Sequence, residues 1–226
     1  KNPSVSDITG LVTSGADLTS KQALLVKVSG ICVVDGTKYY IQTAEDKKIL
    51  IYFDRAFYEA NAAELLEAGK EYTVSGFLNW FNNPQVTPIA EGAVVEILPQ
   101  KTVEGTELVM ADLGFENATP ISWVKFTDGE LRASAGTGSN APTYYTSGTA
   151  LRLYNGNVLT IKSNKKIVKI EFTFAESHPL TENLKVNDGT MDYTTGVWTG
   201  ELNEFVLTNT ASAQARLLSI KVTYAE

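Results

Sequence analysis

Residues Gly136 to Tyr145 read GTGSNAPTYY, and the first six match Gly-x-Gly-x-x-Ala, a form of the dinucleotide-binding fingerprint. How this stretch is read decides between an α/β fold and a β fold. A phosphate cradle needs a strand before the glycines and a helix beginning among them, so that free N–H groups face the anion. Here Pro142 and the pair Tyr144-Tyr145 follow at once, then TSG and the strand-like ALRLY. About twenty residues on, where a ribose-binding acid belongs, the chain reads NVLTIKS. The context fails, so the glycines belong to a loop between strands.

Working outward from that loop, strand-like runs recur from Leu108 to the C-terminal end. They include ISWVKFT, ELRAS, NVLTIKS, KIVKIEFTF, GVWTG, EFVLTN and ARLLSIKVTY, punctuated by Gly, Asn, Asp and Ser. Many short strands with frequent turns predict an antiparallel sandwich over 108–226. Alternation in KIVKIEFTF places Val168, Ile170, Phe172 and Phe174 on an apolar face. Ile167, Lys169, Glu171 and Thr173 fall on the other.

The first hundred residues read differently. ALLVKVSGICVV (23–34) is a long β-branched run with Gly30 inside it, the place for a bulge or sharp coil. A turn at DGTK (35–38) leads to the strands YYIQT and KILIYF. DRAFYEANAAELLEAG (54–69) changes to helical spacing through Phe57, Leu65 and Ala68, with Asp54 as a start signal and Gly69 as a stop. KEYTVSGFLNW and AVVEIL return to strand. The segment PQKTVEGTE (99–107) reads as the interdomain linker.

Three strands, a helix and two strands resemble the five-stranded oligonucleotide/oligosaccharide-binding (OB) barrel over about residues 20–100. The phrase GTGSNAPTYYTSGTALRLYNGNVLTI, followed by KKIVKIEFTF, is similar to a recurring signature in secreted proteins and surface lipoproteins of gut Bacteroidetes. That second resemblance implies a galactose-binding-like jelly roll and an exported, cell-surface or extracellular location, with an upstream lipid anchor in keeping. The chain opens with KNPSVSD rather than Met, as a processed or truncated one would. The fold expected is thus mainly β, with an OB-like barrel and one helix in 1–100 and a jelly-roll sandwich in 108–226.

Composition narrows the function. At 43% apolar and 20% charged residues the chain can bury a sizeable core. The net charge is −7, with −4 in residues 1–100 and −3 in the remainder. Neither half attracts a polyphosphate backbone or an anionic membrane by its overall field, so nucleic acid is a disfavoured partner. No run approaches the roughly 18–20 apolar residues of a membrane span. Cys32 is the sole cysteine, which excludes an internal disulfide, and its setting in GICVV predicts a small buried hydrophobe.

Catalysis finds little to use. The one histidine, His178, lies in the loop-like ESHPL, and no nucleophile-elbow sequence is present. Multi-His or multi-Cys metal sites fail on numbers. The oxygen-rich NDGTMD (187–192) offers a structural calcium reading but matches no calcium-loop pattern, and an ordinary turn is preferred. Glu201 and Glu204 are one of many acid pairs that 26 carboxylates will supply. No enzyme, cofactor or metal centre is expected.

Binding surfaces are the better candidates. OB barrels take ligands across their second and third strands, between the first-second and fourth-fifth loops. In this chain those places hold Tyr40, Tyr52, Trp80 and Phe81, with Lys38 the nearby cation. Period-2 reasoning turns Tyr39 and Ile41 inward, and Tyr40 and Gln42 outward. In the sandwich, Trp123, Tyr144, Tyr145, Arg152, Tyr154 and Trp198 are the residues a carbohydrate-binding surface would use, since flat rings stack on sugar C–H faces. The expectation is a non-catalytic binding or interaction module, with glycan as the leading ligand class and a cell-surface protein as another partner. A nucleic-acid accessory module and a purely structural or adhesion segment are the alternatives.

Overall fold

The computed structural model describes residues 4–54, 62–89 and 92–225, and the chain divides into two units, Lys1–Leu98 and Pro99–Glu226. The first runs β1 (Ser6–Asp7), α1 (Thr9–Ser14), β2 (Leu25–Asp35), β3 (Lys38–Ala44) and β4 (Lys47–Ile51). It continues with α2 (Ala62–Leu65), β5 (Glu71–Phe81), β6 (Asn83–Thr87) and β7 (Val94–Glu96). The strands pair in the order β2-β3-β4-β6-β5, and β5 pairs back onto β2, closing a five-stranded barrel. Only β4 and β6 run parallel within that ring.

This is the OB-like barrel expected from the strand order, with one correction. Its fifth stave is β6, formed by NPQVT, to which the sequence pattern assigns no strand of its own. AVVEIL instead supplies β7, which lies along β5 outside the ring. Pro84 lacks an N–H, and it is tolerated at the start of β6, where a strand can spare that donor.

Gly30 shows how a long strand serves two neighbours. Strand β2 pairs with β5 over Leu25–Ile31 and with β3 over Ile31–Asp35, so it changes partner beside Gly30. A Cβ on Gly30 would stand 2.2 Å from the Gln42 carbonyl oxygen, so any side chain would push β3 away. The tight coil needs glycine at that position. Val26, Val28 and Cys32 follow the inward parity of the same strand and are buried with Ile41, Ile49, Val74, Leu78 and Val86. Cys32 is a free, buried thiol, and burial pushes its pKa up.

Helix α1 was not foreseen. Gly10 and three β-branched residues make TGLVTS a weak helix former. Packing stabilises it: Val12 is buried and the helix contacts β2, β3 and β4. Gly15, at φ +66°, ends it by returning its N–H to Val12 O, while the Ala16 N–H reaches Leu11 O. Of the helix expected over Asp54–Gly69, α2 is the described part; Phe57 lies outside the described residues. Gly69 takes φ +84°.

The second unit holds β8 (Lys101–Thr102), β9 (Glu107–Val109), β10 (Trp123–Phe126), β11 (Gly129–Ser134), β12 (Thr143–Tyr145) and β13 (Ala150–Leu153). It ends with β14 (Val158–Phe174), β15 (Leu184–Val186), β16 (Thr190–Asp192), β17 (Val197–Asn209) and β18 (Ala215–Tyr224). The segment read as a linker therefore carries β8 and the first residue of β9. NVLTIKS and KIVKIEFTF merge into one 17-residue strand, and GVWTG and EFVLTN into one of 13. These two strands, β14 and β17, pair along most of their length. The first half of β14 also pairs with β11, and its second half with β18. One curled, sandwich-like sheet results, compatible with a jelly roll and enclosing a single core. All its pairings are antiparallel except β8 with β10.

A bulge corrects one expectation. Ile167, assigned by alternation to the polar face, is fully buried. The register slips between Lys162 and Ile167 and again between Ile167 and Lys169. Each extra residue switches which parity faces the core.

Candidate functional site

The opening question is settled by backbone packing. Gly136 (φ +56°) and Gly138 lie against the turn at Asn155 and Gly156, and a Cβ on either would stand 2.2 Å from a carbonyl oxygen of that turn. Thr137 N–H donates to Gly156 O, and the buried Asn157 amide donates to the carbonyls of Ala135 and Asn140. Strand β12 and a short 3₁₀ turn, Thr146–Gly148, follow. The loop's N–H and C=O groups serve its neighbours, with no helix N-terminus to receive a phosphate.

The barrel carries an open cleft of about 660 Å³. Its floor is the outer face of β3 and β4, where Tyr40, Lys48, Leu50 and Tyr52 stand, and Gln85 of β6 extends it. Lys38 borders it beside the β2–β3 turn, where Gly36 takes φ +61° at the first of two central positions. Phe81, Asn82, Asn83 and Pro84, from the hairpin between β5 and β6, form the opposite wall. Asn82 turns that hairpin with φ +61°.

Tyr40 points outward and Tyr39 packs on the core, as alternation predicts. The Lys48 ammonium lies 4.2 Å from the Tyr40 ring centroid and 3.4 Å from an Asp35 carboxylate oxygen. Tyr52 is 48% exposed and Phe81 74% exposed, so both rings offer open faces. Gln85, by contrast, is only 7% exposed, so its amide is a largely desolvated polar group at the cleft floor. Trp80 does not line the cleft. It follows the inward parity of Leu78 beyond the barrel's end, whereas Phe81 follows the outward parity of Asn79.

Lys48 and Gln85 are among the lining residues that the sequence candidates left out. Lys48 shares its parity with Leu50 and Tyr52 in KILIYF, and extending the alternation by one step would have found it. Gln85 needs knowledge that β6 exists and runs parallel to β4, which no local pattern announces.

In the second unit the six candidates separate. Trp198 is fully buried, edge-on to Phe205 at 5.0 Å, and its indole N–H donates to Asp188 O. Tyr144 is buried in the core beside Phe115. Trp123 is covered by the Arg132 guanidinium at 3.7 Å, and its N–H is held by Glu130. These three rings have no free face for a sugar, and that correction removes them from the ligand surface. Tyr145, Arg152 and Tyr154 remain together on the outside of β12 and β13: the Arg152 guanidinium stacks 4.0 Å from the Tyr145 centroid, and Arg152 donates to the Tyr154 hydroxyl.

The remaining candidates for chemistry are accounted for by local contacts. His178 Nδ1 meets the neighbouring Ser177 hydroxyl at 2.9 Å, and its Nε2 faces the Gln214 amide rather than a carboxylate. Glu204 is paired with Lys162. In NDGTMD, Asp188 and Asp192 accept from backbone N–H groups of their own turns, and Asn187 bonds β17. Among the described residues no group of three or more His, Cys, Asp or Glu is placed to hold a metal ion. None of the described helices is long and apolar enough to cross a membrane.

No protein-family model, curated protein or solved structure matches this chain.

Proposed function

We propose that the chain is a non-catalytic binding module of an exported bacterial surface protein, and that its barrel cleft holds a glycan. The observation that carries this reading is the lining of the cleft. Three aromatic rings, Tyr40, Tyr52 and Phe81, stand beside the amides of Asn82, Asn83 and Gln85, and among the described residues no carboxylate lines the space. Rings stack on the C–H faces of sugars and amides bond hydroxyls. The volume suits a ligand of a few sugar units. Glycoside hydrolysis needs two carboxyls flanking the scissile bond, and the described residues of this lining include none. The open rings support a ligand role over a purely structural or adhesive one.

The export reading draws on the GTGSNAPTYY signature and its resemblance to surface proteins. A glycan-array screen followed by calorimetry tests the ligand. Tyr52→Ala and Phe81→Ala should each weaken binding about tenfold, the loss of one stacking contact. A chain that binds no glycan, or one indifferent to both substitutions, ends the proposal.

Lys38 and Lys48 favour one second reading, single-stranded nucleic acid. With two lysine–phosphate contacts the affinity would fall with a log–log salt slope of about −1.4. Glycan binding should be nearly flat over the same range.

A further inference from the structure

Arg152 on β13 and Arg216 on β18 stand directly opposite each other in register. Like charges so placed repel. Both guanidinium carbons lie close to one ring, Tyr145, at 4.0 and 4.6 Å from its centroid. The Nε atoms of both are buried with no hydrogen-bond acceptor. Gly148 packs against the same ring, where a Cβ would come within 2.8 Å of it, so the platform is held in place.

Several other cations of this unit stand beside acids. Arg132 pairs with Glu130, Lys162 with Glu204, Lys165 with Asp128 and Lys169 with Glu171. Acids outnumber bases 26 to 19 in the whole chain, yet among the described residues no carboxylate pairs with Arg152 or Arg216. The adjoining Tyr154 hydroxyl reports the same field. Burial pushes its pKa up, but hydrogen bonds with Arg152 and Thr143 and the charges of both arginines outweigh this and hold it below the ordinary phenol value. No acid contributes to that balance.

We infer that this face binds an oxyanion, the phosphate, sulfate or carboxylate group of a ligand. A guanidinium stacked by one face on an aromatic ring keeps its outer N–H edge directed to solvent, the geometry in which arginine takes an oxyanion in a two-point fork. An anion between the two arginines would relieve their repulsion. The Tyr154 hydroxyl adds a neutral contact at the border. This site belongs to the second unit, and it stands whether or not a glycan occupies the barrel cleft.

Titration of the unmodified protein, followed through arginine Nε–H resonances, tests this directly. Inorganic phosphate, sulfate and glucuronate are the probes, with glucose as the neutral control. The Arg152 and Arg216 signals should move saturably while Arg132 stays still. The arms separate a tetrahedral from a planar oxyanion. Arg216→Gln should weaken binding about tenfold or more, and Arg216→Lys less, because it keeps the charge and loses the fork. The inference is overturned by unsaturable shifts, by equal movement of Arg132, by glucose acting as strongly as the anions, or by an Arg216→Gln protein that binds as well as the original.

Discussion

The most exposed aromatic rings lie on the barrel, and the most deeply buried ones in the second unit. On the barrel, Tyr52 and Phe81 stand in solvent, whereas in the sandwich Trp198, Tyr144 and Trp123 are sunk. The difference follows from the space each architecture encloses. A five-stranded barrel has a narrow interior, filled among the described residues mainly by Val, Ile, Leu, Cys and Tyr72, with Tyr39 and Phe53 packed against it, so large rings on the other parity are left outside. The curled sheet brings two broad faces together, and large rings fill the gap: Trp198, Phe205 and Phe172 form a chain of tilted contacts. The same residue type is thus left open at the barrel surface and buried in the core of the second unit.

Paired substitutions give the sharpest test of that contrast. Trp198→Ala removes a fully buried indole and its hydrogen bond to Asp188 O, and should cost about 3–5 kcal/mol in denaturant unfolding of the second unit. Phe81→Ala should change barrel stability by no more than about 0.5 kcal/mol. Equal losses would erase the distinction between core ring and platform ring.

Glycines make a second contrast, within the barrel alone. Gly30→Ala places a methyl against the Gln42 carbonyl and should destabilise by about 1–3 kcal/mol. Gly10→Ala, inside α1 with nothing within 4 Å of the new Cβ, should stabilise by about 0.5–1 kcal/mol. Thermal midpoints of the two variants should move in opposite directions, and a shared direction would undo the account of the β2 coil.

Cys32 distinguishes a sealed interior from a leaky one. With 1% exposure and a thiol pushed up by burial, it should resist a thiol-labelling reagent in the native state and react fully in denaturant. Rapid native labelling would mean the barrel opens at that strand.

The smallest effect is on acid stability. Asp192 accepts hydrogen bonds from the Thr195 side chain and from the Thr194 and Thr195 backbone, which hold its carboxyl below the ordinary carboxylate range. A carboxyl with a depressed folded-state pKa adds stability above its unfolded pKa and loses it as pH falls through the folded one. Asp192→Asn should therefore flatten the acid limb of the second unit's stability slightly and leave the neutral plateau nearly level. An unchanged acid limb would show those hydrogen bonds to be worth nothing.

Much of this was legible locally. Alternation placed Tyr40 outward and Tyr39 inward, and the absence of a helix signal after GTGSNAPTYY ruled out the phosphate reading. The departures share one cause. β6 hides in NPQVT because a proline and polar residues lower its strand signal, and its parallel partner β4 is more than thirty residues earlier. Ile167 changed faces because a bulge is set by pairing with two neighbours at once. Arg152 and Arg216 stand 64 positions apart and meet only through the β13–β18 ladder.

By itself the sequence determined the β class, the two-part organisation, the buried cysteine and the residues available for stacking, because period and turn chemistry act over a few positions. Only the tertiary structure decided which rings are open, which strand closes the barrel and which charges lack partners. Exposure and charge pairing are properties of neighbours across the sheet, and those neighbours are set by pairing register and curvature.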